Sequence, residues 1–175
     1  MIKRCIMIFP EFENGYVIDN IRNKYDPLSN FVKPHITLVF PFDSNIKTQE
    51  LEKHISQVLN KFKPFNMTLS GVGTNDSFKD EYLFLNVREG KEDIIKIHQK
   101  LYSGILESYY PDFLKKTSYL PHLTIGSFNN VHDFKVALED TRNINDVFKT
   151  RVTQIDVEII GEKGESTIEF GFKLT

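Results

Sequence analysis

Two short segments of the sequence share one pattern, in which a proline precedes a histidine, an aliphatic residue and a threonine. They are Pro34-His35-Ile36-Thr37 and Pro121-His122-Leu123-Thr124. A pair of imidazoles suits the attack of water on a phosphodiester, because one neutral ring accepts a proton while one protonated ring donates one to the leaving alkoxide. Neither step requires a metal. The threonine hydroxyls are suited to hydrogen-bond the non-bridging phosphate oxygens.

The spacing of these residues predicts how they are presented. In an extended strand, side chains alternate between faces, so His35 and Thr37 share one face and His122 and Thr124 share another. The intervening aliphatic residues then point into the core. The two histidines are 122 − 35 = 87 residues apart in a chain of 175, which favours two related lobes whose motifs converge on a single cleft.

The elements that must position the motifs follow from the periodicity of apolar residues. Strands are predicted over 2–9, 35–40 (ended by Pro41), 65–72, 81–88, 122–128, 155–160 and 168–174. Helices are predicted over 12–25, 46–60 (capped by Ser44 and Asn45), 91–108 and 131–138, and a turn over 73–77. This interleaving predicts an α+β fold.

Composition limits the classes of function. With 22 basic and 24 acidic side chains, the chain has no global positive field of the kind that drives non-specific binding to duplex nucleic acid. A nucleotide or RNA end would therefore be bound locally. The apolar run after Met1 is too short for a signal peptide or a membrane span, and Cys5 is the single cysteine. We therefore expect a cytoplasmic protein of one domain over 1–175, without disulfides.

The sequence resembles the 2H phosphoesterase superfamily, also called the 2′-5′ RNA ligase-like or LigT-like family, which is defined by two His-x-Thr/Ser-x motifs. The resemblance extends to Ile21-Arg22-Asn23-Lys24-Tyr25-Asp26-Pro27 and to the segment from Pro34 to Phe42. It implies a bilobal fold, with two pseudo-symmetric lobes of mostly antiparallel sheet around a central cleft and helices outside.

The same resemblance implies hydrolysis of 2′,3′-cyclic phosphates or 2′-5′ phosphodiesters of nucleotides or RNA ends. By position, it implies His35 as general acid, His122 as general base, and Thr37 and Thr124 as phosphate-binding residues. We expect no metal or cofactor, because the sequence has no HExxH string and no cysteine pair to supply further ligands. Two alternatives stay open. One is hydrolysis of a cyclic or 2′-5′-linked signalling oligonucleotide, and the other is a nucleotide- or RNA-binding module with little turnover. Reverse 2′-5′ ligation is a further possibility within the family.

Other residues are weaker candidates. Base stacking is considered for Phe9, Phe42 and Phe128, and phosphate contacts for Lys33, Lys115, Lys116 and Tyr119, although a core or solvated role is commoner for each. Three further histidines, His54, His98 and His132, are expected to be solvated or locally bonded. No functional role is expected for Gly71-Val72-Gly73, which lacks the third glycine of a dinucleotide loop, or for Cys5 as a nucleophile.

Overall fold

The computed structural model of the protein describes residues 1–75 and 81–175. Within these ranges the strands are β1 (Ile2–Ile8), β2 (Ile36–Ser44), β3 (Phe65–Asn75), β4 (Glu81–Val87), β5 (His122–Phe128), β6 (Val147–Val152), β7 (Gln154–Ile160) and β8 (Ser166–Lys173). The α-helices are α1 (Gly15–Tyr25), α2 (Thr48–Leu59), α3 (Lys91–Leu101) and α4 (Val131–Thr141), and 3-10 helices cover Gly104–Tyr109 and Asp112–Lys115.

The described strands form two antiparallel sheets of four strands each, in the orders β2-β1-β7-β8 and β5-β4-β3-β6. The predicted α+β fold with two lobes is confirmed. However, the lobes do not correspond to the two halves of the sequence, because the first sheet combines β1 and β2 with β7 and β8 from the other end of the chain. The two motif strands, β2 and β5, each lie at a sheet edge and contact one another.

The helices attach to the sheets through single apolar faces. Leu51, Ile55 and Leu59 of α2 are buried, as are Ile94, Ile97 and Leu101 of α3. Full burial of one such side chain contributes about 1.5–3 kcal/mol, so these two faces are a large part of what holds the helices in place. Within the described residues, none of the helices combines the length and the hydropathy that crossing a membrane would require.

Several predicted boundaries were wrong. Strand β2 continues through Pro41 to Ser44. Its register against β1 shifts between the pairs Ile6–Val39 and Arg4–Phe42, and at such a bulge a residue without an N–H group costs no ladder hydrogen bond. Helix α2 begins at Thr48 with Lys47 as its N-cap residue, so Ser44 and Asn45 do not cap it.

The remaining differences concern loops and one missed strand. Helix α3 ends at Leu101, and a separate 3-10 helix follows where a continuous helix to 108 was predicted. Strand β3 extends through the first three residues of the predicted turn, 73–75, whereas Asp76 and Ser77 lie outside the described residues. Strand β6 was not predicted. Only Phe148 and Val152 of this strand are buried, so it lacks a strong alternating pattern.

Candidate active site

The two motifs have the same pattern of burial along their strands. Ile36 and Leu38 in the first motif, like Leu123 and Ile125 in the second, have 0% of their surface exposed. The histidine and threonine of each motif are half-buried. Each strand therefore anchors its aliphatic side chains in the core and presents an imidazole and a hydroxyl on the other face, as strand alternation predicts.

The structure brings the four motif side chains together. His35, Thr37, His122 and Thr124 line one cavity of about 30 Å³, whose wall is completed by Phe40, Tyr119 and Leu120. A cavity of this volume accommodates about two water-sized groups, such as two oxygens of a phosphate. Both lobes thus contribute to a single small polar site at the line where β2 and β5 meet.

The two histidines are held in the same way. Nδ1 of His35 lies 2.8 Å from the carbonyl oxygen of Lys33, and Nδ1 of His122 lies 2.7 Å from that of Leu120. A carbonyl oxygen can only accept a hydrogen bond, so Nδ1 carries the proton in both rings. Nε2 is left in each ring as the nitrogen that can exchange a proton with a bound group.

Burial governs the protonation of both rings. The pKa of His35 is lowered mainly by burial; the Lys33 carbonyl opposes the shift, and the positive charge of Arg22 adds to it. The pKa of His122 is also lowered by burial, against the opposing effect of the Leu120 carbonyl. Since an ordinary histidine has a pKa of about 6.5, both rings are mostly neutral at pH 7 in the free protein.

Each histidine also lies beside a phenylalanine. The ring centroid of Phe9 is 6.1 Å from that of His35, and the centroid of Phe84 is 4.8 Å from that of His122. Each Phe limits the orientations open to the neighbouring imidazole. Phe9, one of the three stacking candidates, therefore lies near the site.

Three side chains form hydrogen bonds with the backbone of β2. The hydroxyl of Tyr119 donates to the carbonyl of Thr37 at 2.6 Å, and Nδ1 of His98 donates to the carbonyl of Leu38 at 2.7 Å. The hydroxyl of Tyr102 accepts from the N–H of Phe40 at 2.9 Å. Strand β2 lies at the end of its sheet, and these three side chains provide hydrogen-bond partners for three of its backbone groups along the first motif.

The ring of His98 packs against the rings of Tyr102 and Tyr119. His98 and Tyr119 stack with centroids 3.7 Å apart and planes inclined by 6°. His98 is 1% exposed, and burial lowers its pKa, which favours the neutral ring with its proton on Nδ1. Its partner Leu38 is 60 positions away in the chain, so the expectation that His98 is solvated or locally bonded was wrong.

A buried ion pair fixes the loop that leads into the first motif. Nε of Arg22 lies 2.8 Å from Oδ2 of Asp26, and Nη2 of Arg22 donates to the carbonyl of Val32 at 2.9 Å. The other carboxylate oxygen of Asp26 accepts from the N–H of Leu28 at 2.9 Å. The loop is thereby tied to α1 just before Lys33, whose carbonyl holds His35.

The remaining candidates lie elsewhere. Phe42 and Phe128 are buried and pack against Tyr109 and Tyr25 respectively. Lys115 pairs with Asp112 at 2.7 Å on the surface, and Lys116 is exposed. Gly71–Gly73 lie within β3, His132 is exposed, and Cys5 is buried with a pKa raised by burial. His54 contacts the Leu101 carbonyl, 47 positions away in the chain, so its expected local bonding was wrong as well.

Tyr119 was predicted only as a phosphate contact, whereas its hydroxyl donates to the Thr37 carbonyl in the structure. The nearest signal in the sequence was its position three residues before His122, which indicates proximity to the second motif but not to Thr37. Among the described residues, no three His, Cys, Asp or Glu side chains converge in the way that a metal ion requires.

The geometry can be compared with known proteins. A family model described as the 2′-5′ RNA ligase superfamily matches residues 9–163, a range that includes both motifs. A provisionally named phosphoesterase of Bacillus licheniformis is 25% identical over 126 residues, which cover 71% of this chain and 70% of that protein. A similarly named protein of Geobacillus thermodenitrificans is 27% identical over 132 residues, covering 71% and 69%.

Solved structures share the fold. A crystal structure of a Thermus thermophilus protein superposes with a TM-score of 0.68 at 14% identity, covering 98% of this chain and 97% of that one. Escherichia coli LigT in complex with 3′-AMP superposes with a TM-score of 0.64 at 17% identity, covering 99% and 98%. Because the family model spans most of the sequence and the bilobal fold agrees, this chain belongs to the 2′-5′ RNA ligase superfamily of 2H phosphoesterases.

Proposed function

We propose that the protein is a metal-independent phosphodiesterase that hydrolyses 2′,3′-cyclic phosphate or 2′-5′ phosphodiester bonds of nucleotides or RNA ends. The observation that carries this proposal is the matched pair of histidines, each with Nδ1 bonded to a backbone carbonyl and each lining the same cavity with a threonine. Two equivalent imidazoles at one small polar site favour a reaction with one proton accepted and one donated.

In the proposed mechanism, Nε2 of neutral His122 takes a proton from the attacking water. Nε2 of protonated His35 donates a proton to the leaving ribose oxygen as its bond to phosphorus breaks; this oxygen stays on the same nucleotide when a cyclic phosphate is opened and departs with a nucleoside when a 2′-5′ diester is cleaved. The hydroxyls of Thr37 and Thr124 bind the non-bridging oxygens, where negative charge grows in the transition state. The products are a phosphomonoester and a free hydroxyl. Each cycle adds one proton to His122 and removes one from His35, so one proton must pass from His122 to His35, directly or through solvent, before the next turnover.

The role of His35 as an acid requires that the bound substrate favour its protonated form, because burial disfavours that form. Both histidines have lowered pKa values, so His35 would seldom be protonated at pH 7 in the free protein. A phosphodiester brings a negative charge against the rings, which favours the protonated form of a nearby histidine. Substrate binding would thus supply the condition under which His35 acts as an acid.

A panel of substrates tests the proposal. The purified protein is incubated in EDTA with 2′,3′-cyclic nucleotides, 2′-5′-linked dinucleotides and, as the matched control bond, 3′-5′-linked dinucleotides, and the products are separated by chromatography. We expect turnover of the first two classes and release of a phosphomonoester. The His122→Ala variant, purified in parallel, should lose at least about a hundredfold of this activity, which excludes a contaminating nuclease.

Two outcomes would overturn the proposal. Abolition of turnover by EDTA would contradict the metal-independent mechanism. Tight binding of a cyclic nucleotide without any product would instead identify a binding module that retains the motifs.

A further inference from the structure

The segment Gly71-Val72-Gly73 belongs to the same sheet as the second motif, with β4 between it and β5. Sheet register connects the two segments. Thr124 of β5 lies opposite Phe84 of β4, and Phe84 lies opposite Gly73 of β3. Residues directly opposite each other in antiparallel strands share a face, so Thr124, Phe84 and Gly73 form one row on the active-site face of the sheet.

Gly73 provides bare backbone for the ring of Phe84 to lie against. A Cβ atom at this position would be 2.5 Å from Cε2 and 3.0 Å from Cζ of Phe84, well inside the separation of about 3.5–4.0 Å that carbon atoms prefer. The same ring lies beside His122, with centroids 4.8 Å apart and planes inclined by 45°. Phe84 is 4% exposed. The lack of a side chain at Gly73 thus determines where the phenyl ring lies, and the ring bounds one side of the imidazole.

Gly71 supports a second side chain beside the same motif. Its φ of +75° lies in the left-handed region, which favours glycine, and the register of β3 against β4 shifts at this point. The carbonyl of Gly71 accepts a hydrogen bond from Nδ2 of Asn86 at 2.8 Å, and Asn86 is the register partner of His122. The two glycines therefore make room for the two β4 side chains, Phe84 and Asn86, that flank the second motif.

The packing of Phe84 also affects the charge of His122. Burial is the main cause that lowers the pKa of His122, and the Leu120 carbonyl opposes it. Phe84 covers part of the imidazole with apolar surface, which disfavours the charged form. The titratable groups that line the small cavity with His122 are His35 and Tyr119, and neither carries a negative charge at pH 7. The contact with Phe84 thus favours the neutral ring that a base requires.

We propose that Phe84, packed against the bare backbone of Gly73, is a positioning residue for His122. Its ring holds the imidazole in the orientation in which Nδ1 donates to the Leu120 carbonyl and Nε2 is left for the attacking water. Gly73 acts through Phe84, because any side chain at that position would displace the phenyl ring. This inference rests on the proposed function, since it takes His122 to accept the proton from water.

Three variants separate positioning from packing. Phe84→Leu removes the ring but keeps an apolar side chain, Gly73→Ala adds the Cβ that meets the ring, and the double variant carries both changes. Leucine lacks the Cε2 and Cζ atoms that the added Cβ would touch, so the double variant should fold as well as Phe84→Leu does. If Gly73→Ala alone does not fold, recovery of the folded state in the double variant tests the same contact.

Two controls match these substitutions. Phe134→Leu removes a ring that is also buried but packs against Phe128. Gly15→Ala adds a Cβ that meets Cβ of Phe12 at 3.9 Å, an ordinary contact distance. Each control repeats the chemical change of one variant away from His122.

Nitrogen-15 NMR of the imidazole rings gives the tautomer and the pKa of each histidine without turnover. In the wild type, we expect the proton of neutral His122 on Nδ1. In Phe84→Leu and Gly73→Ala, the tautomer with the proton on Nε2 should become detectable, and the pKa of His122 should rise by at least about 0.3 toward its ordinary value of about 6.5. The pKa of His35, the internal control, should change by less than about 0.1.

Steady-state kinetics on a 2′,3′-cyclic nucleotide is the second measurement. We expect kcat to fall at least about tenfold in Phe84→Leu and in Gly73→Ala, because misplacement of a catalytic group is costly, while KM stays within twofold. Gly73→Ala should lower kcat less than twofold further when it is added to Phe84→Leu, since the two residues act through one contact. Both controls should keep kcat within twofold of the wild type.

A His122 ring that keeps its wild-type tautomer and pKa in Phe84→Leu would overturn the inference, as would losses of kcat that multiply in the double variant. If the wild type hydrolyses cyclic phosphate in that case, the proposed function still holds. Conversely, the expected NMR changes in a protein that turns over no substrate would support the positioning of the ring by Phe84 and refute the hydrolase.

Discussion

Removal of the Tyr119 hydroxyl should slow turnover without weakening substrate binding. This hydroxyl donates to the Thr37 carbonyl at 2.6 Å, and so links the segment before the second motif to the strand of the first. A neutral hydrogen bond contributes about 0.5–1.5 kcal/mol net. If that energy holds Thr37 in place in the transition state, Tyr119→Phe lowers kcat about two- to twelvefold, since about 1.4 kcal/mol corresponds to a factor of ten.

Steady-state kinetics on a 2′,3′-cyclic nucleotide would measure this effect, with kcat and KM determined separately. Tyr110→Phe is the matched control, because Tyr110 packs in the same aromatic cluster and its hydroxyl makes no hydrogen bond to the described part of the chain. We expect KM to stay within twofold in both variants and kcat to fall only in Tyr119→Phe. An unchanged kcat, or a raised KM at unchanged kcat, would refute a positioning role for the hydroxyl.

Three further predictions concern charge. The profile of kcat/KM against pH should be bell-shaped with its maximum below about pH 6.5, because burial lowers the pKa of both His35 and His122. Asp156→Asn should raise the free energy of unfolding measured with urea, and the increase should be largest at neutral pH. Asp26→Asn, which leaves Arg22 buried without its charged partner, should lower the free energy of unfolding by about 3 kcal/mol and also lower kcat.

The signs of these predictions can be checked separately. Because the pKa of Asp156 is raised in the folded protein, the folded protein binds a proton there at a higher pH than the unfolded chain does. The stability gained by Asp156→Asn should therefore shrink as the pH falls toward about 4. A gain that does not change with pH would contradict this reasoning. An optimum of kcat/KM above about pH 7 would contradict the lowered pKa values of the histidines. For Asp26, the control is Asp140→Asn, which breaks an exposed pair with Lys24 and should change stability little.

The sequence was sufficient to predict the parts of the site that depend on strand alternation. His35 and Thr37 share a face because side chains two positions apart always do in a strand, and the burial of Ile36 and Leu38 matches this alternation. The 87-residue spacing predicted two lobes. It did not reveal that the strands 154–160 and 166–173 complete the first sheet, because strand order depends on long-range pairing that local periodicity does not encode.

The sequence alone could not predict hydrogen bonds between residues that are far apart in the chain. The carbonyls of Thr37 and Leu38 are bonded by Tyr119 and His98, which are 82 and 60 positions away, and no local pattern marks such pairs. Asp156 alternates with apolar residues in the sequence, a pattern that usually indicates a solvated face. In the structure both faces of β7 are covered, and the carboxylate is buried.

The central claim is that His35 and His122 act on the same phosphate in one step. Single-turnover hydrolysis of a 2′,3′-cyclic nucleotide in EDTA should be measured for the wild type, His35→Ala, His122→Ala and the double variant. Residues that act as a unit are not additive, so each single variant should lose at least about a hundredfold in rate and the double variant little more. Either single variant at the wild-type rate, or losses that multiply in the double variant, would contradict the claim.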